Sequence, residues 1–355
     1  MSRAFVGHPV NFISDNAAAA APEILAALAR ANDGTAASYG SDAITRRITE
    51  KLSSLFEKDV AVFPVATGTA ANALSIATLT PHYGAVVCYE GAHIHVDECG
   101  APEFFSQGAK LVPVKGDHGK LTPENAKAAL ARFQKGDVHH VQPATISISQ
   151  ATELGTSYTP VEVRAMADLA KAEGMALHMD GARLANALVH LKCSPADVTW
   201  KAGVDALSFG FTKNGAVAAE AVVFFDPNRA ADVAYRRKRA GHLLSKMRFV
   251  SAQIEAMLDD GLWLKLAGHA NAMAKRLGDG LTALPGFTVP NPVEANEVFA
   301  KLPSEAAMKA LQAAGARFYQ WEPTTDGRPL VRLVCSWATK ADDVDHFIAA
   351  ARKVA

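Results

Sequence analysis

Two short motifs hold the residues of this chain best suited to covalent chemistry. The first is Phe209-Gly210-Phe211-Thr212-Lys213-Asn214-Gly215, set between the apolar runs Asp205-Ala206-Leu207-Ser208-Phe209 and Ala221-Val222-Val223-Phe224-Phe225. Both runs read as buried strands, which puts Lys213 on a glycine-flanked turn between two core elements. An ammonium there is costly to desolvate, and burial lowers a lysine pKa toward the range where the amine attacks an aldehyde. A surface lysine on a polar turn would look the same in isolation; the second motif separates the two. His178-Met179-Asp180-Gly181-Ala182-Arg183 closes a strand read over Met175 to Met179. Asp180 therefore stands at the carboxyl end of a strand, where open α/β sheets place their ligands. A carboxylate about thirty positions before a turn lysine fits pyridoxal phosphate, the acid keeping the pyridine nitrogen protonated and the lysine taking the aldehyde carbon. Without Lys213 and Arg183 beside it, Asp180 would be an ordinary cap or turn residue.

Other residues fit around this pair. Thr67-Gly68-Thr69-Ala70 is a small-residue turn opening a helix after the strand Val60 to Phe63, so the amides of Gly68, Thr69 and Ala70 can face an anion at the positive end of the helix dipole. His93 and His95, with Asp97 and Glu98 close by, lack the third ligand and the helical spacing of a zinc site, and one of them suits a flat ring against a flat cofactor. Ser14 is a substrate contact or a turn hydroxyl. Arg332, inside the apolar strand Leu330-Val331-Arg332-Leu333-Val334, either snorkels out or is aimed at an anion. The basic cluster Arg236-Arg237-Lys238-Arg239 reads as a solvated helix face or a reach toward a phosphate, not as a nucleic-acid surface.

The elements that must position these groups alternate. Strands and helices follow one another through about 225 residues, which predicts a mostly parallel, helix-covered sheet. The helix from Pro160 to Gly174 and the amphipathic helix from Ile44 to Phe56 are examples. Two long helical patterns follow, Val250 to Leu266 and His269 to Leu281, and then a smaller α+β unit that includes the strands Arg317 to Gln320 and Leu330 to Val334. With 355 residues, a large domain over 1–250, including an N-terminal arm, and a second over 251–355, long helix plus small α+β unit, are expected. The 36 basic and 36 acidic residues balance, which argues against nucleic-acid and anionic-membrane partners. No stretch reaches about 20 apolar residues, and Met1-Ser2-Arg3-Ala4-Phe5 does not open as a secretory signal, so a cytoplasmic protein is expected. The four cysteines, Cys88, Cys99, Cys193 and Cys335, have no CxxC spacing, which argues against zinc and against a disulfide framework.

Taken together, Ser14-Asp15, Tyr39-Gly40, Thr67-Gly68-Thr69, Ala92-His93, His178 to Arg183 and Phe211 to Gly215 resemble the threonine aldolases. More narrowly, Thr67 to Leu74, Asp97 to Phe105, Leu177 to Asn186, Thr199 to Gly203 and Val293 to Ala295 are similar to the bacterial low-specificity L-threonine aldolases. The resemblance runs from about Phe12 to the last helix. It implies the type I fold of pyridoxal-phosphate-dependent transferases, with a seven-stranded, mostly parallel sheet and a smaller C-terminal domain, and a homotetramer of dimers with shared active sites. It implies retro-aldol cleavage of L-threonine, L-allo-threonine and related β-hydroxy-α-amino acids such as phenylserine to glycine and an aldehyde. By position, Lys213 matches the lysine bound to pyridoxal phosphate, Asp180 the partner of the pyridine nitrogen, and His93 the histidine stacked on the ring and assisting proton transfer. Gly68 and Thr69 match the phosphate cradle, and Arg248 a phosphate-side arginine from the neighbouring subunit. Ser14, Arg183 and Arg332 match the groups that hold the substrate carboxylate. Where many family members carry a histidine near the substrate hydroxyl, within the segment Gln150 to Gly155, this chain has Thr152-Glu153. A β-eliminating lyase, racemase or aminotransferase would use the same lysine and aspartate, and a non-catalytic cofactor sensor could too, although it would have little reason to keep both arginines.

Overall fold

The computed structural model describes residues 10–321 and 324–355; the opening stretch Met1 to Phe5, read above as no secretory signal, lies outside them. Seven strands form the large sheet: β1 (Ala61–Val65), β2 (Gly84–Tyr89), β3 (Lys110–Val114), β4 (Gln142–Ser149), β5 (Ala176–Gly181), β6 (Ala206–Gly210) and β7 (Glu220–Phe224). Their order is β1-β7-β6-β5-β4-β2-β3, and only β7 runs against its neighbours. This is the mostly parallel sheet the alternating pattern predicts. Three more strands, β8 (Glu297–Lys301), β9 (Tyr319–Gln320) and β10 (Leu330–Val334), make a small antiparallel sheet in the order β8-β10-β9. The N-terminal arm joins it, Phe12 donating to the carbonyl of Arg317 and accepting from the amide of Val334.

Local chemistry explains the helices that matter. Thr159 and Glu162 form a capping box, Pro160 takes the first helical position, and Gly174 ends the helix Pro160–Glu173 at φ 72°. The helix Gly68–Leu79 is capped by Thr67 and buries Ala70 through Ala77. Such a helix can be enclosed because its side chains are mostly small. Near the C-terminus the sequence reading needs correction: one break falls at Asp259–Gly261, between the helices Arg248–Leu258 and Leu262–Thr282, and no break occurs before His269. Asp260 and Gly261 adopt φ 51° and 66°, a left-handed stop that apolar periodicity does not reveal. The Arg317 to Gln320 strand shortens to Tyr319–Gln320, because Arg317 pairs instead with Asn11 of the arm.

The main core holds Phe56, Phe209, Phe211 and Trp263, with Phe209 packed on Phe211 at 4.4 Å and on Trp263 at 5.3 Å. A second core gathers Phe12, Leu277, Val331 and Phe347 around the small sheet. The 21-residue helix Leu262–Thr282 serves both: Trp263 and Ala267 lie in the first, Ala274, Leu277 and Leu281 in the second. The ends of β5 and β6 approach unusually closely. A Cβ on Gly210 would stand 2.6 Å from the backbone of Ala182, and one on Gly181 2.9 Å from the carbonyl oxygen of Ser208. Gly210→Ala should therefore destabilise the fold by about 1–3 kcal/mol, as overpacking does, measurable as a lower urea midpoint; an unchanged midpoint would mean the contact relaxes freely.

Candidate active site

That approach sets the aspartate and the lysine side by side at the carboxyl ends of neighbouring strands. Lys213 follows β6 on a turn pinned from several directions. Thr212 and Ala219 exchange hydrogen bonds, Gln253 accepts from the amides of Val217 and Ala218, and Asn214 donates to the Trp263 carbonyl. Gly215 takes φ 112° against the Trp337 ring, where a Cβ would sit 3.2 Å away. Glu220, at the start of β7, accepts the Phe211 amide; burial pushes its carboxyl up to about 7, although Lys213 works against this. The half-buried Lys213 amine has no hydrogen-bond partner among the described residues, yet its charge is felt by Asp15, Asp180, Glu220, Glu297 and His93. It lies at the centre of the set.

Asp180 is buried and accepts from the Ala182 amide at 3.0 Å and from Asn72 Nδ2 at 2.8 Å. Burial acts to raise its carboxyl, but His93, Lys213 and Asn72 outweigh it and hold Asp180 below the usual range, hence ionised. Asn72 also donates to Glu98 Oε1 at 2.8 Å, and that oxygen meets His93 Nδ1 at 2.7 Å. Asp180, Asn72, Glu98 and His93 thus form one connected line. The Glu98 contact is the largest influence on His93 and raises its pKa against burial. His93 begins the short helix His93–Val96, not a strand, and His95 on that helix is exposed, so the fold separates the two histidines. The His93 amide donates to Glu153 Oε1 at 3.1 Å, and Ser149 donates to the same oxygen. Burial pushes Glu153 up to about 7, and its other oxygen is enclosed without a partner among the described residues. Beneath them His178, between Ser147 and Ser208 at 2.9 Å each, is pushed down by burial and stays neutral.

On the other side stand the arginines. Arg183 directs Nε and Nη2 at the two carboxylate oxygens of Asp15, at 2.8 and 3.1 Å, and Nη1 at Glu297 Oε2 at 3.4 Å. Burial acts to lower its pKa, and Asp15 and Glu297 more than reverse this. Arg332 packs its guanidinium 5.3 Å from both the Tyr319 and the Trp321 rings, with Nη1 3.9 Å from Glu297 Oε1, so it is aimed inward. Ser14 accepts the Asn16 amide at 3.1 Å, a turn role, next to Asp15. The helix Gly68–Leu79 opens onto a cavity of about 80 Å³ lined by Thr67, Thr69, Ala70, Phe105 and His242 among others. A Cβ at Gly68 would meet nothing within 4 Å, and the amides of Gly68 and Thr69 have no partner among the described residues. An open helix N-terminus, an ionised buried carboxylate and an unengaged lysine fit pyridoxal phosphate. Arg248 does not join this set within its own chain: its guanidinium reaches the Gly34 carbonyl at 3.4 Å. Three of the four residues of the basic cluster are engaged locally, Arg236 on Asp232, Arg237 on the Pro64 carbonyl and Lys238 over Tyr39.

Known proteins resemble this chain over most of its length. A family model described as beta-eliminating lyase matches residues 11–305. A low specificity L-threonine aldolase of Pseudomonas aeruginosa is 46% identical over 337 residues, 95% of each chain. The chain belongs to the threonine aldolase family. A second member, from a Pseudomonas species, is 45% identical over 97% of each chain. The solved structure of a Leishmania major threonine aldolase superposes with a TM-score of 0.91 at 30% identity, over 98% of this chain and 100% of that one. The type I fold expected from the resemblance is the one observed. Beyond the motifs that threonine aldolases share, residue spacing gave no role to Asn72, Asp15, Glu220 or Glu297. Asp15 stood next to Ser14 and Glu297 opened an apolar run, but the arginines they meet are far off in sequence.

Glu98→Gln should remove the carboxylate at Nδ1, and the His93 titration followed by NMR should move down; an unmoved curve would show that Glu98 does not set it. Asp15→Ala should leave Arg183 without its fork partner and cost about 3–5 kcal/mol, the usual result of breaking a buried pair, read by urea unfolding.

Proposed function

We propose that this chain is a pyridoxal-phosphate-dependent aldolase that cleaves L-threonine, L-allo-threonine and related β-hydroxy-α-amino acids, phenylserine among them, to glycine and an aldehyde. The observation that carries this reading is Lys213 beside an ionised Asp180, with two arginines facing them, in a chain 46% identical to a low specificity L-threonine aldolase. Pyridoxal phosphate, when bound, supplies the electron-accepting ring that stabilises the carbanion left by Cα–Cβ cleavage. Lys213 would hold it covalently, Asp180 would keep a positive charge on the ring nitrogen, and the amides of Gly68 and Thr69 would take its phosphate. His93 would be the side chain beside the ring.

Arg183, Arg332 and Ser14 receive the substrate carboxylate, in a planar geometry that lysines could not reproduce. Holding the carboxylate orients the Cα–Cβ bond for cleavage. With Nδ1 engaged by Glu98, Nε2 of His93 is the nitrogen left to exchange a proton with the β-hydroxyl. Glu153, pushed up to about 7, is a second group able to hold that proton near neutral pH. We assign the working form to a cytoplasmic homotetramer of dimers in which Arg248 serves the neighbouring site. Exposed apolar side chains such as Val96, Phe104 and Tyr235 support assembly with further copies. No described helix is long and apolar enough to cross a membrane.

The test is product analysis with L-threonine on the purified holoenzyme. Acetaldehyde and glycine are expected; ammonia and a keto acid would mean β-elimination instead. Lys213→Ala should abolish both the visible absorbance of the bound cofactor and turnover, and near-normal rates in this variant would remove the central claim.

A further inference from the structure

Glu297 has no part in the chemistry above, yet it stands between the two arginines assigned to the substrate. It opens β8 and is 2% exposed, and neither carboxylate oxygen has a hydrogen bond among the described residues. Its nearest cationic atoms belong to the two arginines assigned to the substrate carboxylate, Arg183 Nη1 at 3.4 Å and Arg332 Nη1 at 3.9 Å. Arg332 opposes Phe299 and Val334 opposes Glu297 in the β8–β10 pairing, so Glu297 and Arg332 are diagonal neighbours on one face. The backbone cannot easily retreat. A Cβ on Gly155 would stand 3.0 Å from the Glu297 carbonyl oxygen, and the Cys335 amide is tied to Asn296 next door.

We propose that Glu297 is a resident stand-in for the substrate's carboxylate, balancing Arg183 and Arg332 in the resting enzyme and taking up a proton from solvent when that carboxylate arrives. The inference rests on the assignment of those arginines under the proposed function. The charge count motivates it. Arg183 and Arg332 are matched by Asp15 and Glu297, and Lys213 is the remaining charge facing Glu297. A substrate carboxylate would add one negative charge beside two arginines already matched by Asp15 and Glu297, and buried charge without a partner is strongly disfavoured. Asp15 cannot absorb the proton readily, since Arg183 holds both its oxygens and its carboxyl lies below the usual range despite burial. Glu297 lacks hydrogen bonds to its charged form, and burial raises its carboxyl against the pull of both arginines and Lys213. As the substrate takes over the arginines, that pull weakens and protonation follows.

Binding linked to one proton falls about tenfold in affinity for each pH unit above the pKa of the group concerned. The experiment is calorimetric titration of the holoenzyme with glycine, which carries the carboxylate, and with methylamine, which does not. Each is run at pH 8.5 in two buffers of different ionisation enthalpy, to count protons. Glycine should take up close to one more proton than methylamine in the wild type, and this difference should vanish in Glu297→Gln. That variant should bind glycine more tightly than the wild type at pH 8.5, with a flatter pH dependence. Equal proton counts for the two ligands in the wild type would overturn the proposal, even if the variant does not fold. So would an undiminished difference in Glu297→Gln. Acetaldehyde production with equal counts would remove this inference and leave the function standing. The extra proton without any aldehyde would do the reverse.

Discussion

The site depends on how closely two strand ends can lie. Gly181 and Gly210 remove the side chains that would hold the turns after β5 and β6 apart. Asp180 and Lys213 descend from those strands, and a larger residue at either glycine would push one turn off the other. Everything else is arranged to keep this approach fixed: the phenylalanines and Trp263 beneath, the Gln253 and Thr212 hydrogen bonds around the lysine turn, and the arm amide of Ala21 on the Gly215 carbonyl.

Around that contact the protein buries many charges in a small volume and settles them by different means. Asp180 is kept ionised by nearby positive charge and by Asn72. His178, two residues earlier on the same strand and hydrogen-bonded to two serine hydroxyls, is kept neutral by burial, which outweighs the charge of Asp180. Arg183 is satisfied by a carboxylate fork. Glu153 and Glu220 are raised toward neutrality because burial outweighs their hydrogen bonds. Neighbouring acids thereby acquire different protonation states without any difference in residue type.

Much of this was legible in the sequence where the signal is local. The small residues after Thr67, Pro160 at a helix start, and the apolar runs flanking Lys213 each carry their own turn, start or period, and the structure follows them. The family motifs added what spacing alone could not, namely which histidine and which arginines belong together. What stayed hidden depends on pairing between distant segments. Asp15 meets Arg183 across 168 positions and Glu297 meets Arg332 through antiparallel pairing, and neither leaves a trace in hydropathy. The break at Asp260 and Gly261 was missed for another reason, since a left-handed stop inside a continuous amphipathic pattern changes the backbone without interrupting the apolar face.

The helix Leu262–Thr282 has a consequence for how the molecule comes apart. One half of it is packed into the large core and the other into the small one, with no loop between that could melt separately. Releasing either core alone would expose apolar residues of a helix that the other core still requires in place. The two lobes should therefore share a single cooperative transition, and the free energy of a ligand bound at the strand ends should be felt as far away as the C-terminal helix.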